Sequence, residues 1–423
     1  MEGLKGKIKV IDSIMGQGKT TWAINYMKAN PDKRFIYVTP FLAECERVKA
    51  ELPHLKTPYV DFDNNEVKLE TFRQYLLKGE SIITTHSLMS KFDLDIQENI
   101  RIGEYTLILD EVTNVAEMYE FKTETNKKVF LRDFVYIDEE GYVCWDEEKN
   151  PSELYERGSH FYGEMILCLN KHLVVVNDNI LMWELPTELF KSFKDVYILT
   201  YLFEGSLQKP YFDLFDVEYE YLSLDKGKLI PYRETPKEIK QEILSLINIV
   251  DNPKLNAIGD NRYSFSSNWF NNNIKKGSVY SEVLRKSTTN FFRNICDGNA
   301  TDNMVSTFDD YYNIIKDKGW SNKNTSFIVF NKKATNEYIH KKNLAYLINI
   351  FPHTSLTMYF NTRLKGKIKI NEDMYALSIM IQWIWRSRIR NQDLSLEDRK
   401  INLYLPSKRM RTILLNWLND VKK

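Results

Sequence analysis

The stretch Ser13-Ile-Met-Gly-Gln-Gly-Lys-Thr20 decides how the beginning of this 423-residue chain folds. It matches the loop pattern that binds nucleotide phosphates, except that Ser13 stands where the pattern has its first glycine. Glycine permits the backbone turns that point successive N–H groups at phosphate oxygens. Residues 7–11 form an apolar run that predicts a strand, and residues 20–28 predict a helix whose positive end faces the same phosphates. The stretch therefore predicts a nucleotide site.

The residues of this loop predict how ATP and Mg²⁺ would be bound. The Lys19 ammonium would reach the β- and γ-phosphates, and the Thr20 hydroxyl would ligand Mg²⁺. The predicted nucleotide contacts are Gly16, Gln17, Gly18, Lys19, Thr20 and Thr21.

A pair of acids, Asp110 and Glu111, follows an apolar strand predicted at 105–109. A carboxylate in that position faces the phosphate loop across the edge of a parallel sheet, so Asp110 is predicted to hold Mg²⁺, directly or through water. Glu111 is predicted to orient and deprotonate the attacking water. An acid pair after a strand is also typical of a helix N-cap and a surface acid, but the phosphate loop upstream favours the catalytic interpretation.

Short apolar runs alternate with helical patterns over the first two hundred residues, which is typical of a parallel sheet covered by helices on both faces. About eighty residues separate the last two of these strands, more than a crossover needs, and this length predicts an insertion at about 115–195. Within it, 134–137 and 142–145 predict a β-hairpin. Residues 104–157 hold 15 acids and six bases, so the insertion is locally acidic. Strands are predicted at 7–11, 35–39, 81–85, 105–109 and 196–200.

The second half of the chain has weaker patterns and a basic end. Residues 361–423 hold 14 bases and six acids, whereas the whole chain has a net charge of zero, so binding of nucleic acid would depend on local patches. The predicted elements are strand-like residues at 208–224, a helix at 236–249, a strand at 325–331, a helix at 375–390, a strand at 401–405 and a helix at 409–421.

Composition argues for a cytoplasmic protein with no membrane partner. The four cysteines are far apart and form no CxxC pair, so neither a zinc ribbon nor a disulfide framework is indicated. No apolar run reaches the roughly 18 residues of a membrane-spanning helix, and the N-terminus lacks a signal-peptide pattern. If the chain is viral, we expect it in the cytoplasm of the host cell.

The order of these motifs resembles that of superfamily 2 helicases over nearly the whole chain. Residues 16–20 look like motif I, 110–113 like motif II, 199–200 like motif III, 330–331 like motif IV and 382–390 like motif VI. The likeness extends to helicase-like proteins of phages and mobile elements and to herpesvirus origin-binding helicases. It implies an α/β fold with two RecA-like domains, at 1–205 with the insertion and at 206–423 with a helical, basic end.

Further site residues follow from this resemblance. A nucleic-acid strand would pass Thr39, Pro40, Thr84, Thr85 and His86, mainly through its phosphates, although His86 could equally face the insertion. Gln382, Arg386 and Arg390 would act in hydrolysis, where a guanidinium stabilises charge developing on the γ-phosphate.

The chain departs from the family pattern in motifs V and VI, and Ile389 stands where motif VI has its second arginine. Trp385 stands where motif VI has glycine, and motif V has two candidate positions, 361–362 and 372–373. Without the resemblance, the arginines near 386–390 would be read as a solvated basic helix face. Coupling of hydrolysis to strand movement is therefore less well supported than hydrolysis itself.

Three functions remain open from the sequence. The favoured hypothesis is an ATP-dependent helicase or translocase that acts on single-stranded or forked DNA, or on RNA, in phage or mobile-element replication, with replication proteins as further partners. The second is an origin-binding or loading ATPase that is switched by nucleotide and does not unwind processively. The third is a packaging motor with a nuclease, which Asp213, Asp216, Asp309 and Asp310 do not support because they lack nuclease spacing.

Overall fold

The computed structural model describes residues 8–59, 68–177, 180–296, 299–318, 320, 327–330, 337–363 and 370–421. The chain divides into two compact units. The first comprises 1–13, 17–232 and 352–370, and the second comprises 14–16, 233–351 and 371–423. Among the described residues, no helix is long and apolar enough to cross a membrane.

The strands are, in chain order, β1 Ile8–Asp12, β2 Phe35–Thr39, β3 Ile82–Thr85, β4 Thr106–Asp110, β5 Ala116–Met118, β6 Val135–Ile137, β7 Val143–Trp145, β8 Leu173–Val176, β9 Ile180–Glu184, β10 Asp195–Thr200, β11 Tyr219–Asp225, β12 Lys228–Pro231, β13 Ile247–Ile249, β14 Asn303–Ser306, β15 Asn343–Tyr346 and β16 Ile401–Tyr404.

The α-helices are Lys19–Lys28, Leu42–Glu51, Lys68–Leu77, His86–Met89, Leu94–Ile102, Glu124–Asp133, Tyr162–Leu169, Glu188–Lys191, Gln208–Leu214, Lys237–Leu246, Pro253–Asn256, Ser267–Asn273, Val279–Asn290, Asp309–Ile315, Thr354–Arg363, Glu372–Ile384 and Lys408–Leu418. Short 3₁₀ turns lie at Ser152–Leu154, Phe203–Gly205, Ala257–Gly259, Ala300–Asp302 and Arg388–Arg390, and a π-helical turn at Phe291–Ile295.

The main sheet of the first unit has the order β12-β11-β1-β10-β4-β2-β3 and is parallel except for the β11–β12 pair. Successive side chains of each strand enter different cores because they point to opposite faces of the sheet. In β4, for example, Leu107 and Leu109 join one core and Ile108 the other. The predicted sheet covered on both faces is thus confirmed.

The first unit extends beyond residue 205, where the sequence patterns had placed the domain boundary. Residues 208–214 form a helix, and β11 then pairs in parallel with β1, with Val10 opposite Tyr221. The prediction of a strand-like stretch over 208–224 was therefore wrong in its first half. Tyr211 and Phe212 of that helix are fully buried, so the aromatic content reflects core packing rather than a strand.

The insertion between β4 and β10 contains the predicted hairpin. Val135 pairs with Trp145 and Ile137 with Val143. The turn closes because the Asp138 carboxylate accepts the N–H groups of residues 140 and 142 and because Gly141 adopts a φ of 87°. A second antiparallel sheet, β5-β9-β8, and an aromatic core of its own complete the insertion.

A helix from the second half of the chain packs on the first unit. Tyr359 and Phe360 of helix Thr354–Arg363 are buried in the main core of this unit. The nearly buried Glu184 accepts hydrogen bonds from the hydroxyls of Tyr142 and Tyr359, and its Oε2 lies 3.5 Å from Nη2 of Arg363. A paired carboxylate at the end of β9 therefore holds this helix.

The second unit is built on a parallel sheet with the order β13-β16-β15-β14. The helix predicted at 236–249 ends at Leu246, and Ile247–Ile249 forms the edge strand. The strand predicted at 325–331 is wrong for residues 327–330, which make only an isolated bridge between Phe327 and Val305, while 325, 326 and 331 lie outside the described residues.

Four asparagine side chains cross this second sheet as a ladder. Asn248 donates to Asn402 (2.9 Å), Asn402 to Asn343 (3.0 Å) and Asn343 to Asn303 (3.1 Å). The Asn303 amide then donates to the Trp320 carbonyl at 2.9 Å. The strand registers place these residues side by side, so one amide row links all four strands.

Candidate active site

The loop at 13–18, which the sequence predicts to bind phosphates, connects β1 to the first helix. Gly16 and Gly18 have φ values of 85° and 82°, in the left-handed region that glycine adopts without strain. The next helix begins at Lys19. Ser13, which replaces the first glycine of the pattern, is buried, and its hydroxyl accepts the N–H of Leu224 at 2.7 Å. Its side chain thus anchors the loop to β11.

The carboxyl ends of parallel strands bring the predicted metal ligands together. Since β10 lies between β1 and β4, Asp110 ends its strand near the phosphate loop. The Thr20 Oγ1 lies 3.5 Å from Asp110 Oδ2. A hydroxyl and a carboxylate are hard oxygen ligands of the kind that hold Mg²⁺ together with nucleotide phosphates and water. These residues therefore fit a magnesium–nucleotide complex.

The charges at this site influence one another. Burial raises the pKa of Asp110 to about 6, and Glu111 acts in the same direction, while the hydrogen bond from Tyr37 and the charge of Lys19 oppose the rise. Loss of hydration lowers the pKa of Lys19, which the carboxylates of Glu111, Asp12 and Asp110 counteract. A polyvalent anion and a divalent cation would each find complementary groups here.

Glu111 is held in an unusual conformation. Its φ of 67° is rare for a residue with a side chain, and its N–H donates to the Leu199 carbonyl at 2.9 Å. Within the described part of the chain, its buried Oε2 has no hydrogen-bond partner. A buried acceptor without a partner is costly unless another group occupies the site during function, and an attacking water is such a group.

Two further residues contact Asp110 that the sequence did not assign to the metal site. The Tyr37 hydroxyl donates to Asp110 Oδ2 at 2.7 Å. The His86 Nε2 lies 3.0 Å from the Asp110 carbonyl and must carry the proton, because a carbonyl only accepts. Tyr37 lies within an apolar strand pattern, so no sequence signal marked it, and His86 had been assigned to nucleic acid or the insertion.

Asp12 is a third residue near this site that no sequence pattern marked. Its buried carboxylate accepts the N–H groups of Leu202 and Phe203, each at 2.9 Å. The N–H of Ser13 donates to the Thr200 carbonyl at 3.1 Å. The end of β10, which the resemblance identified with motif III, is thereby tied to the start of the phosphate loop.

The residues predicted to contact nucleic acid differ in exposure. Thr39 and Thr84 are buried, and the Thr84 carbonyl accepts the Cys45 thiol. Pro40, Thr85 and His86 are partly exposed at the same end of the sheet. Only these three have side chains that can be reached from solvent in this structure, and nucleic-acid contact by the whole set stays a prediction.

Gln382, Arg386 and Arg390 belong to the second unit. The helix predicted over 375–390 ends at Ile384. Beyond it, the Ser387 hydroxyl donates a hydrogen bond to the Ile384 carbonyl, and the Arg388 N–H donates to the Lys341 carbonyl. Arg386 is buried, and its Nη1 lies 3.4 Å from the Val329 carbonyl. The arginines therefore do not line a continuous helix, and their roles in hydrolysis stay predictions.

The four cysteines are free thiols, and no group of three or more His, Cys, Asp or Glu side chains that could hold a metal ion occurs in the described residues.

A solved structure shares this fold. Xpd4 from S. tokodaii aligns with a TM-score of 0.50 at 13% sequence identity, over 98% of this chain and 95% of that one. The likeness confirms the predicted fold class of RecA-like α/β units with parallel sheets flanked by helices. A chain described as an XPD helicase aligns with a TM-score of 0.42 at 10% identity, over 98% of this chain and 94% of that one, which is too low to bear on the fold.

Sequence comparison gives a near full-length relative. The chain is 36% identical over 423 residues to the SPbeta prophage-derived protein YonV of Bacillus subtilis strain 168, covering 98% of this chain and 99% of that protein. Residues 241–418 match the family model of the YonV C-terminal Rossmann-like domain. With this identity and coverage, the chain belongs to the YonV family.

Proposed function

We propose that this protein is an ATP-dependent nucleic-acid helicase or translocase that acts on DNA during phage or mobile-element replication. The observation that carries the proposal is the meeting of Lys19, Thr20 and Asp110 beside Glu111 at the carboxyl edge of a parallel sheet. The prophage origin of its relative and the fold shared with Xpd4 support the setting and the class of motor.

The residues of the site have distinct roles in ATP hydrolysis. Backbone N–H groups around Gly16 and Gly18 and the Lys19 ammonium hold the phosphates. Mg²⁺ held by Thr20 and Asp110 would neutralise charge on the β- and γ-phosphates. Glu111 accepts a proton from water as the water oxygen bonds to the γ-phosphorus and the bond to the ADP oxygen breaks.

The Tyr37 hydroxyl and the Asp110 carboxylate act together in this proposal. The hydrogen bond from Tyr37 to Oδ2 favours the ionised form of Asp110, which is the form that binds metal. His86 fixes the backbone of the same residue from β3. A nucleic-acid strand that contacts Thr85 and His86 would then be linked to the metal ligand Asp110 through His86 alone.

The proposal is tested by steady-state ATPase activity with and without single-stranded DNA. We expect DNA to stimulate hydrolysis and Lys19→Ala to abolish it, since the variant loses the phosphate-binding ammonium. Lys28→Ala is the matched control, because Lys28 lies at the other end of the same helix in an exposed pair with Glu51 and should leave activity unchanged.

One outcome would count against the proposal, and a second would narrow it to one of its two activities. Hydrolysis that no nucleic acid stimulates would replace the motor by a nucleotide-switched loading ATPase. Stimulated hydrolysis without displacement of a strand from forked DNA would restrict the function to translocation. The same assays with RNA in place of DNA identify the nucleic acid.

A further inference from the structure

A column of aromatic rings and guanidinium groups stands beyond the carboxyl ends of β15 and β16 in the second unit. The Arg409 guanidinium lies 4.1 Å from the centroid of the Phe351 ring. Phe351 and Tyr263 are 5.8 Å apart with ring planes at 35°. The Arg262 guanidinium lies 5.9 Å from the Tyr263 centroid. The column thus runs from a buried arginine to an exposed tyrosine and arginine.

The loop that carries Tyr263 is fixed from beneath. The buried Asn349 amide donates to the carbonyls of Arg262 (2.8 Å) and Ser264 (3.0 Å), and its backbone N–H donates to Phe265. Arg409 in turn donates to the Asn349 side-chain oxygen at 2.9 Å and to the Ile350 carbonyl at 2.8 Å. The exposed ring is therefore presented by a pre-organised loop, which limits the ordering that a ligand would have to impose.

The outer end of the column is open to solvent. Tyr263 is 59% exposed, and the Arg262 side chain is 66% exposed. Arg262 lies 3.9 Å from Glu372 in an ion pair that is exposed on both sides and is therefore weak. An isolated surface tyrosine needs no explanation, but a tyrosine that ends an anchored stack beside an exposed guanidinium has the parts of a base-stacking site.

We propose that Tyr263 is a stacking platform for a base of single-stranded nucleic acid, with Arg262 pairing with a neighbouring phosphate. The inference rests on the proposed function and adds a contact site to it in the second unit. A flat aromatic base can stack on the exposed Tyr263 ring and so lengthen the column. A phosphate can replace Glu372 as the partner of Arg262.

The test is binding of the full chain to a labelled single-stranded oligonucleotide, followed by fluorescence anisotropy. We expect Tyr263→Ala to weaken binding on the order of tenfold and Tyr263→Phe, which keeps the ring, to bind within about twofold of wild type. Tyr136→Ala is the matched control, since Tyr136 is a comparably exposed tyrosine, 55%, on the insertion hairpin.

A second oligonucleotide with abasic sites separates stacking from other causes. On it the loss caused by Tyr263→Ala should disappear, because no base remains to stack. Arg262→Ala should reduce the slope of log affinity against log salt concentration by about one, the value for one lost phosphate contact. Tyr263→Ala should leave this slope unchanged. Thermal unfolding of each variant checks that the fold is retained.

Different results separate this inference from the proposed function. If the wild type binds DNA and Tyr263→Ala binds equally well, or loses as much affinity on the abasic strand, the stacking site is wrong and the motor stands. If the wild type neither binds single-stranded DNA nor responds to it in hydrolysis, the proposed function itself fails.

Discussion

At the residue scale, Glu111 combines a left-handed backbone with a buried oxygen that lacks a partner in the described residues. Such strain is retained where the surrounding structure enforces it, and it is frequent at active sites. The hydrogen bond from the Glu111 N–H to the Leu199 carbonyl of β10 helps to enforce this conformation. The geometry thus supports the role that its place after Asp110 predicted.

We expect Glu111→Gln to bind nucleotide while hydrolysing it about 10²–10⁴-fold more slowly, because the amide cannot accept a proton from water. Single-turnover hydrolysis and binding of a fluorescent ATP analogue would measure the two effects. Glu117→Gln, a change of an exposed glutamate six residues later, should alter neither. Equal loss of binding and hydrolysis in Glu111→Gln would show that the residue acts in nucleotide binding instead.

Glu184 gives a prediction about pH and stability. Burial raises its pKa, and the Arg363 charge and the hydroxyls of Tyr359 and Tyr142 only partly oppose the rise. The folded protein therefore binds a proton at Glu184 more readily than the unfolded chain does. The contribution of Glu184 to stability is fully present below its unfolded pKa and is lost as the pH rises through the folded pKa.

Comparison with Glu184→Gln isolates this effect, since other titrating groups are common to both proteins. We expect the free energy of unfolding of the wild type, relative to Glu184→Gln, to increase when the pH is lowered from near 7.5 to near 5. Urea unfolding at the two pH values would measure it. A relative decrease would mean that Arg363 holds Glu184 in its charged form and lowers its pKa.

At the scale of elements, the asparagine ladder fixes how the strands of the second sheet pair. A slip of one residue would turn the side chains of a strand to the other face and break the amide row. Asn303 and Asn343 are almost fully buried, so their amides would lose hydration without gaining partners in any other register. The ladder thus selects a single register for β14, β15 and β16.

We expect Asn343→Ala to lower the free energy of unfolding by about 1–3 kcal/mol, because it leaves Asn402 and Asn303 without their buried partner. Asn248→Ala at the exposed end of the ladder should cost no more than about 0.5 kcal/mol. Chemical denaturation of both variants tests this. Similar losses in the two would show that strand propensity, and not the ladder, dominates.

At the scale of the whole molecule, the order of the chain and the division into units do not coincide. The first unit takes helix Thr354–Arg363 from between two segments of the second unit. The contacts of Tyr359 with Glu184 span 175 residues of sequence. Folding of the first unit is therefore complete only after most of the chain is available, and such distant contacts slow folding.

We expect Tyr359→Ala to lower stability by about 3 kcal/mol and to reduce hydrogen-exchange protection in β5 and β8, although the mutation lies far from them in sequence. Met358→Ala on the same helix, where Met358 is 40% exposed, is the control and should change stability by at most about 0.5 kcal/mol. Unchanged protection in Tyr359→Ala would mean that the helix is not part of the stable first unit.

Local patterns determined much of the first unit of this protein. Glycines 16 and 18, the strand before them and the Asp-Glu-Glu-Gly turn each depend on a few neighbouring residues, so their conformations follow from the sequence alone. The predicted alternation of strands and helices also required a sheet covered on both faces. These predictions needed no knowledge of which strand lies beside which.

Only the tertiary structure decided the features that depend on neighbouring strands and distant segments. Tyr37 reaches Asp110 because β2 pairs with β4. Arg363, on helix Thr354–Arg363, reaches the buried Glu184 carboxylate only in the assembled first unit. The asparagine ladder forms only when four strands align. Hydrophobic periodicity shows which face of an element is buried but not what covers it, because burial is non-directional whereas hydrogen bonds between distant residues depend on the assembled fold.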